Sequence, residues 1–203
     1  MIAIVDYGMG NLRSVEKGFL KVGVDAKVVS HPNAIDDAKA VVLPGVGAFR
    51  DCMRNMEDMF LIEPIIRSIQ KGKPYLGICL GLQVLFTESE EFGIYKGFDI
   101  LKGKVVRFQV NLKVPHMGWN NIKISKRPPI LNEINDGAFF YFVHSFYVVP
   151  YDNEVIAATT EYGIDFTSMI WKDNIFATQF HPEKSQESGL RLLKSFGEFV
   201  RRA

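Results

Sequence analysis

Short, nearly unbroken apolar runs alternate with helix-spaced segments through the first half of the chain, and apolar runs alone dominate the second half. The runs at 2–5, 27–29, 40–43 and 74–78 have the texture of short strands buried in a sheet. Between them, segments 11–22 and 62–70 repeat apolar residues at helical spacing, with Gly23 and Gly72 as their stops. Pro64 falls in the first turn of the second helix, where a missing N–H is tolerated. The spacing of Leu82, Leu85 and Phe86 predicts a further helix beyond Cys79. Strands alternating with helices argue for a parallel sheet covered on both faces. From residue 104 onward the pattern changes to strand-like runs at 104–108, 121–124, 139–143, 147–149, 155–159, 167–171 and 175–180. An amphipathic helix at 186–201 closes the chain, with Ser185 placed to cap it. The expected fold is a three-layer α/β domain spanning 1–203, its central sheet mostly parallel with helices on both faces, plus a strand-rich C-terminal half. Such sheets place their sites at the C-terminal ends of strands.

Composition narrows the function classes. With 203 residues, 47% hydrophobic and 23% charged, the chain has the make-up of a globular domain with a full core. A net charge of +1 offers no general attraction to nucleic acid or acidic membranes. No apolar stretch reaches the roughly 20 residues of a membrane span. Asp6 interrupts the apolar start, so no signal peptide is expected. Two cysteines, Cys52 and Cys79, make no disulfide framework and fit a reducing, cytoplasmic setting.

Chemistry concentrates at Lys73-Pro74-Tyr75-Leu76-Gly77-Ile78-Cys79-Leu80-Gly81-Leu82-Gln83. A buried strand leads into a cysteine with glycine two residues to either side, then into a helical pattern. This is the plan of a nucleophile elbow with cysteine in place of serine. The glycines let the chain pass through a sharp, strained turn, and the following N–H groups point at the sulfur. The other reading of this window is a structural cysteine at the end of a core strand. A second segment separates the two. The strand-like run 175–180 passes directly into His181-Pro182-Glu183. A thiol nucleophile needs a base, and the base needs a third group to fix its tautomer and balance its charge. Pro182 ends the strand geometry, so the Glu183 carboxylate can turn back to the imidazole.

Gly-x-Cys-x-Gly followed far downstream by His-Pro-Glu resembles the class I, triad-type glutamine amidotransferases. The segments 6–12, 44–49, 115–120 and 141–145 are similar to those of the branch formed by the glutaminase subunits of imidazole glycerol phosphate synthases. That resemblance covers essentially the whole chain. It implies hydrolysis of glutamine to glutamate and ammonia by Cys79, His181 and Glu183, through a glutamyl thioester and without cofactor or metal. The histidines, His31, His116, His144 and His181, show no local zinc-site spacing either.

The elbow itself supplies one oxyanion donor, the Leu80 N–H. The loop Pro44-Gly45-Val46-Gly47 leaves a predicted strand on the same sheet edge, and its two glycines leave the Val46 peptide free to rotate. By resemblance Val46 gives the second donor, with Gly45 beside the substrate. Gln83, one turn beyond Cys79 on the same face, is placed to reach substrate polar groups. The resemblance adds His144, Ser145 and Phe146 as glutamine contacts. It also puts Asn11 near the pocket, although Asn11 reads equally as a helix N-cap.

No acceptor module for ammonia follows in the chain. The resemblance implies a (β/α)8 cyclase subunit that takes the ammonia through its barrel and forms imidazole glycerol phosphate for histidine synthesis. Met117 and Trp119 read either as core anchors or as interface residues. The resemblance assigns His116, Met117, Trp119 and Lys184 to the partner side. A related glutaminase feeding another synthase, such as one that aminates surface sugars, would carry the same catalytic residues. A non-catalytic relative that kept the fold and a thiol esterase on a similar sheet are the remaining readings.

Overall fold

The computed structural model describes residues 1–203. The chain runs β1 (Ile2–Val5), α1 (Leu12–Lys21), β2 (Ala26–Val29), α2 (Pro32–Asp37), β3 (Ala40–Gly45), α3 (Phe49–Asp58), α4 (Ile62–Gln70) and β4 (Tyr75–Cys79). It continues through α5 (Leu80–Gln83), β5 (Phe86–Ser89), β6 (Tyr95–Lys96), β7 (Leu101–Arg107), β8 (His116–Asn121) and β9 (Lys123–Ile124). The last part is β10 (Phe139–His144), β11 (Phe146–Pro150), β12 (Ile156–Glu161), β13 (Asp165–Lys172), β14 (Ile175–Thr178) and α6 (Gln186–Arg202).

Residue alternation in the central strands explains the layering. Ile2, Ile4, Ala40, Val42, Leu76 and Ile78 enter one core, against Phe19 of α1 and Leu193 and Phe196 of α6. Val5, Val41, Leu43 and Tyr75 enter the other, against Phe49 and Met56 of α3 and Ile65 of α4. Each strand is therefore buried on both faces, which is why its sequence shows no polar alternation. The sheet order is β2-β1-β3-β4-β14-β13-β11-β7-β5-β6. Strands β2, β1, β3, β4 and β14 are mutually parallel. Beyond β14 the pairing turns antiparallel except between β5 and β7, so the sheet is mixed, with its parallel part under the elbow.

Three local expectations change. The helix after Cys79 is a single turn, after which Phe86 begins a strand instead of continuing the helical face. Phe98 and Leu101 N–H groups bond the Val84 and Leu85 carbonyls, taking the acceptors a longer helix would have used. Ser185 stands at the N-cap position of α6 but does not cap it. Its hydroxyl donates to the His181 carbonyl and accepts the Tyr141 N–H. Residues 116–120 lie outside the expected strand-like runs, yet with Asn121 they form strand β8, which pairs antiparallel with β10 in a separate ribbon.

This ribbon buries one face and exposes the other. Phe140 and Phe142 lie in the core, whereas Met117 is 61% exposed and Trp119 47%. At the ribbon's end, His116 and His144 face each other across the strands, both buried. His144 Nδ1 bonds the Phe146 carbonyl at 2.8 Å, and a carbonyl only accepts, so Nδ1 carries the proton. Its Nε2 then accepts from His116 Nδ1 at 2.9 Å, and His116 Nε2 accepts from Asn120 Nδ2 at 3.2 Å. Burial pushes the His116 pKa down to about 4 and that of His144 down to about 3.

Below the ordinary histidine value of 6.5, the unfolded chain therefore binds protons that the folded chain refuses. Stability should fall as pH drops from about 6.5 towards 4, readable as a falling thermal midpoint. His116→Asn offers a donor near the Nδ1 position and cannot titrate. It should flatten that pH dependence by about 1.4 kcal/mol per pH unit, and an unchanged slope would clear His116 as a source.

Candidate active site

Strand β4 delivers Cys79 at φ 56° and ψ −103°, a left-handed conformation held by a residue that bears a side chain. Two glycines make the turn possible. A Cβ on Gly77 would overlap the Gly81 carbonyl, and one on Gly81 would overlap the Leu43 carbonyl. Two buried phenols brace the neighbouring peptides: Tyr75 donates to the Gly81 carbonyl at 2.7 Å and Tyr7 to the Pro44 carbonyl at 3.0 Å. The parallel register sets Gly45 beside Cys79, so the loop holding Val46 starts next to the sulfur.

Strand β14 flanks β4 on its other side, with Thr178 opposite Ile78. The chain leaves β14 and enters a 3-10 turn, Pro182–Lys184, which brings Glu183 back to His181. Nδ1 of His181 lies 2.8 Å from Oε1 of Glu183, and both side chains are almost wholly buried. Burial works against a charged His181, but the Cys79 sulfur and then the Glu183 carboxylate outweigh it, raising its pKa to about 10. The opposite nitrogen, Nε2, is buried without an aligned hydrogen bond. Catalytic pairs often align fully only with substrate bound. Cys52, by contrast, is pushed up to about 12 by burial and lies in the core, so it is no rival nucleophile.

A cleft of about 440 Å³ opens over the elbow. Val46, Cys79, Leu80, Gln83, His144, Ser145 and Phe146 all line it, and Lys184, expected on the partner side, lines it too. His181 and Gly45 are buried rather than part of that lining. Asn11 stands at the N-cap position of α1 without a side-chain bond and is not in the lining. Met117 and Trp119 lie on the exposed ribbon face, Trp119 edge-on to Tyr141. His116 departs from expectation. It is 3% exposed and stacked among Phe142 and Tyr162, because alternation along β8 turns it inward, so it offers no surface to a partner.

Other residues escaped the sequence reading. Glu91 lines the cleft and accepts the Phe49 N–H at 2.7 Å, its pKa raised by burial. It lies in a loop with no pattern to mark it. Pro115 and Val143 also border the cleft, joining it to the ribbon. Gln179 is fully buried between the Cys79 sulfur, 3.5 Å away, and Gln83. A lone amide inside the apolar run 175–180 was the available signal. Gln83 spends its amide hydrogens on Gln179 and the Phe146 carbonyl, not on free space in the cleft. No group of three or more His, Cys, Asp or Glu side chains gathers so as to hold a metal ion, and no helix is long and apolar enough to cross a membrane.

The family model for glutamine amidotransferase class-I matches residues 3–198. The imidazole glycerol phosphate synthase subunit HisH of Geobacter sulfurreducens is 58% identical over 204 residues, covering 97% of this chain and 98% of that protein. The HisH subunit of Syntrophotalea carbinolica is 57% identical, covering 98% of this chain and 100% of its own length. Among solved structures, PurLQS from Thermotoga maritima superposes with a TM-score of 0.77 at 18% identity over 98% of both chains, a likeness of fold alone. With a strained cysteine elbow, a His–Glu pair beside it and these relatives over nearly its full length, the chain belongs to the class-I glutamine amidotransferases, among the HisH subunits of imidazole glycerol phosphate synthase.

Proposed function

We propose that the chain, as a single 1–203 glutaminase unit, hydrolyses the side-chain amide of glutamine through Cys79, His181 and Glu183 and hands the ammonia to a (β/α)8 cyclase subunit. The observation that carries this reading is the left-handed Cys79 between strands that deliver the His181–Glu183 pair and the Val46 loop to its two sides. The Cys79 sulfur attacks the amide carbon, forming a C–S bond and a tetrahedral oxyanion. The Leu80 and Val46 N–H groups receive that oxyanion. His181 gives its proton to the departing nitrogen, and ammonia leaves. A water then adds to the thioester carbon, its proton passing to His181, and glutamate departs as the C–S bond breaks. Glu183 holds Nδ1 and balances the imidazolium throughout.

Glu91 is the one acidic residue of the cleft lining and suits the α-ammonium of glutamine. Gly45, His144, Ser145 and Phe146 frame the rest of the substrate, with Gln83 anchoring Phe146 and Asn11 contributing no contact in this geometry. The exposed ribbon face of Met117 and Trp119 reaches the cleft through Val143, and Lys184 sits at the same edge, 5.8 Å from the Tyr141 ring. An apolar surface continuous with the mouth of a cleft is what a subunit receiving ammonia would cover. Two free thiols suit the cytoplasm.

Cys79→Ala should abolish glutamate release while keeping the fold and the complex; retained turnover would remove Cys79 from the mechanism. Glutamate release should rise strongly when the cyclase subunit and its ribonucleotide are added, and full activity of the isolated chain would remove the partner's control. Trp119→Ala should weaken the complex by more than about 1 kcal/mol. An unchanged affinity would take Trp119 out of the interface.

A further inference from the structure

We infer that Gln179 is a catalytic residue of this reaction: its side-chain N–H donates to the Cys79 sulfur and steadies the negative charge there before attack and again as the thioester breaks. The inference rests on the reading of Cys79 as nucleophile. Its first support is placement. Gln179 lies in the bend that follows β14, two residues before His181, so both side chains issue from the segment that leaves the strand flanking β4. Its backbone N–H is fixed to the Ser168 carbonyl at 2.8 Å.

The second support is that the amide has only one consistent orientation. Gln83 Nε2 bonds the Phe146 carbonyl at 3.2 Å, and that carbonyl only accepts. The same nitrogen meets Gln179 at 3.1 Å, so Gln179 must present its oxygen to Gln83. Its nitrogen is thereby turned to the sulfur, 3.5 Å away. Burying two amides costs free energy unless they are bonded, and filling this space alone would need no amide. Gln83 has its own task in holding the Phe146 carbonyl, whereas the Gln179 N–H has the Cys79 sulfur as its partner.

The chemistry gives the donor two occasions to act. When the C–S bond forms, the sulfur's electron pair goes into that bond and its charge is lost. When water has added and the C–S bond breaks, the pair returns to sulfur. A donor to ionised sulfur forms a charge-assisted bond, which is stronger than one to the neutral thiol or thioester. Gln179 transfers no proton; His181 remains the carrier.

The test is the rate at which iodoacetamide alkylates Cys79 in the full-length chain, followed across pH by the mass of the modified peptide. Gln179→Met keeps the side-chain length and removes the donor, while His181, Tyr7 and Cys52 around the sulfur stay unchanged. Alkylation near neutral pH should slow by about tenfold or more, the scale of one hydrogen bond to a charged group, and the profile should move to higher pH. Glutamine turnover should lose more in kcat than in KM. Gln83→Met, which frees the Gln179 amide to turn, should show a smaller loss in the same direction. Gln179→Leu serves if the Met variant does not fold. A folded Gln179 variant with the wild-type alkylation profile would overturn the inference. Its failure differs from failure of the nucleophile reading, in which Cys79→Ala itself would still hydrolyse glutamine.

Discussion

The site depends on one close approach: Gly81 lies so near the Leu43 carbonyl that no side chain fits between them. That contact lets the chain reverse directly after β4 and leaves Cys79 at the tip in left-handed backbone. A non-glycine residue in such a conformation costs about 1–3 kcal/mol. The strand behind it supplies more than enough to offset that. Tyr75, Leu76 and Ile78 are completely buried, and each large apolar side chain so buried contributes roughly 1.5–3 kcal/mol. Register then does the rest. With β3 and β14 parallel to β4 on either side, the Val46 loop and the His181 turn both emerge beside the sulfur.

The second organising contact joins the ribbon to the histidine. The His181 N–H bonds the Tyr141 carbonyl at 2.9 Å, and Ser185 ties the Tyr141 N–H to the His181 carbonyl. Tyr141 pairs in register with Trp119, on the exposed face of the ribbon. Whatever covers that face therefore bears, through two peptide groups, on the turn that carries His181 and Glu183.

How much of this was legible in the sequence depended on whether a pattern was local. The elbow was legible because glycine at both −2 and +2 from a cysteine has a steric meaning, and Gly77 and Gly81 meet it. His181 and Glu183 were legible because Pro182 between them cannot continue a strand; the strand already ends at Thr178, and Pro182 opens the 3-10 turn that brings the carboxylate back. The parallel strands showed as apolar runs because both faces are covered. Strand β8 did not show, since its pattern is inverted: polar His116 and Asn120 lie on the inner side, while apolar Met117 and Trp119 face out. The helical spacing of Leu82, Leu85 and Phe86 misled because pairing with β7 outweighed a local preference. The bonds from Phe49 to Glu91 and from Gln83 to Phe146 and Gln179 span 42, 63 and 96 residues, which no spacing rule records.

The polar groups around the nucleophile follow a single electrostatic logic. His181 is held charged beside Cys79 and Glu183, and a second positive ring nearby would oppose it. At about 4 Å, two like charges in a partly buried setting repel by roughly 4 kcal/mol. His144 escapes this by staying neutral: burial lowers its pKa first, and the proximity of His116 and His181 lowers it further. A neutral His144 still donates to the Phe146 carbonyl, and the same carbonyl also takes a hydrogen from Gln83. The Phe146 carbonyl at the cleft is thus fixed by uncharged donors, which leaves the field at Cys79 to His181 and Glu183. Replacing any of these neutral groups by a charged one would disturb the field that sets the His181 proton, even where the cleft kept its shape.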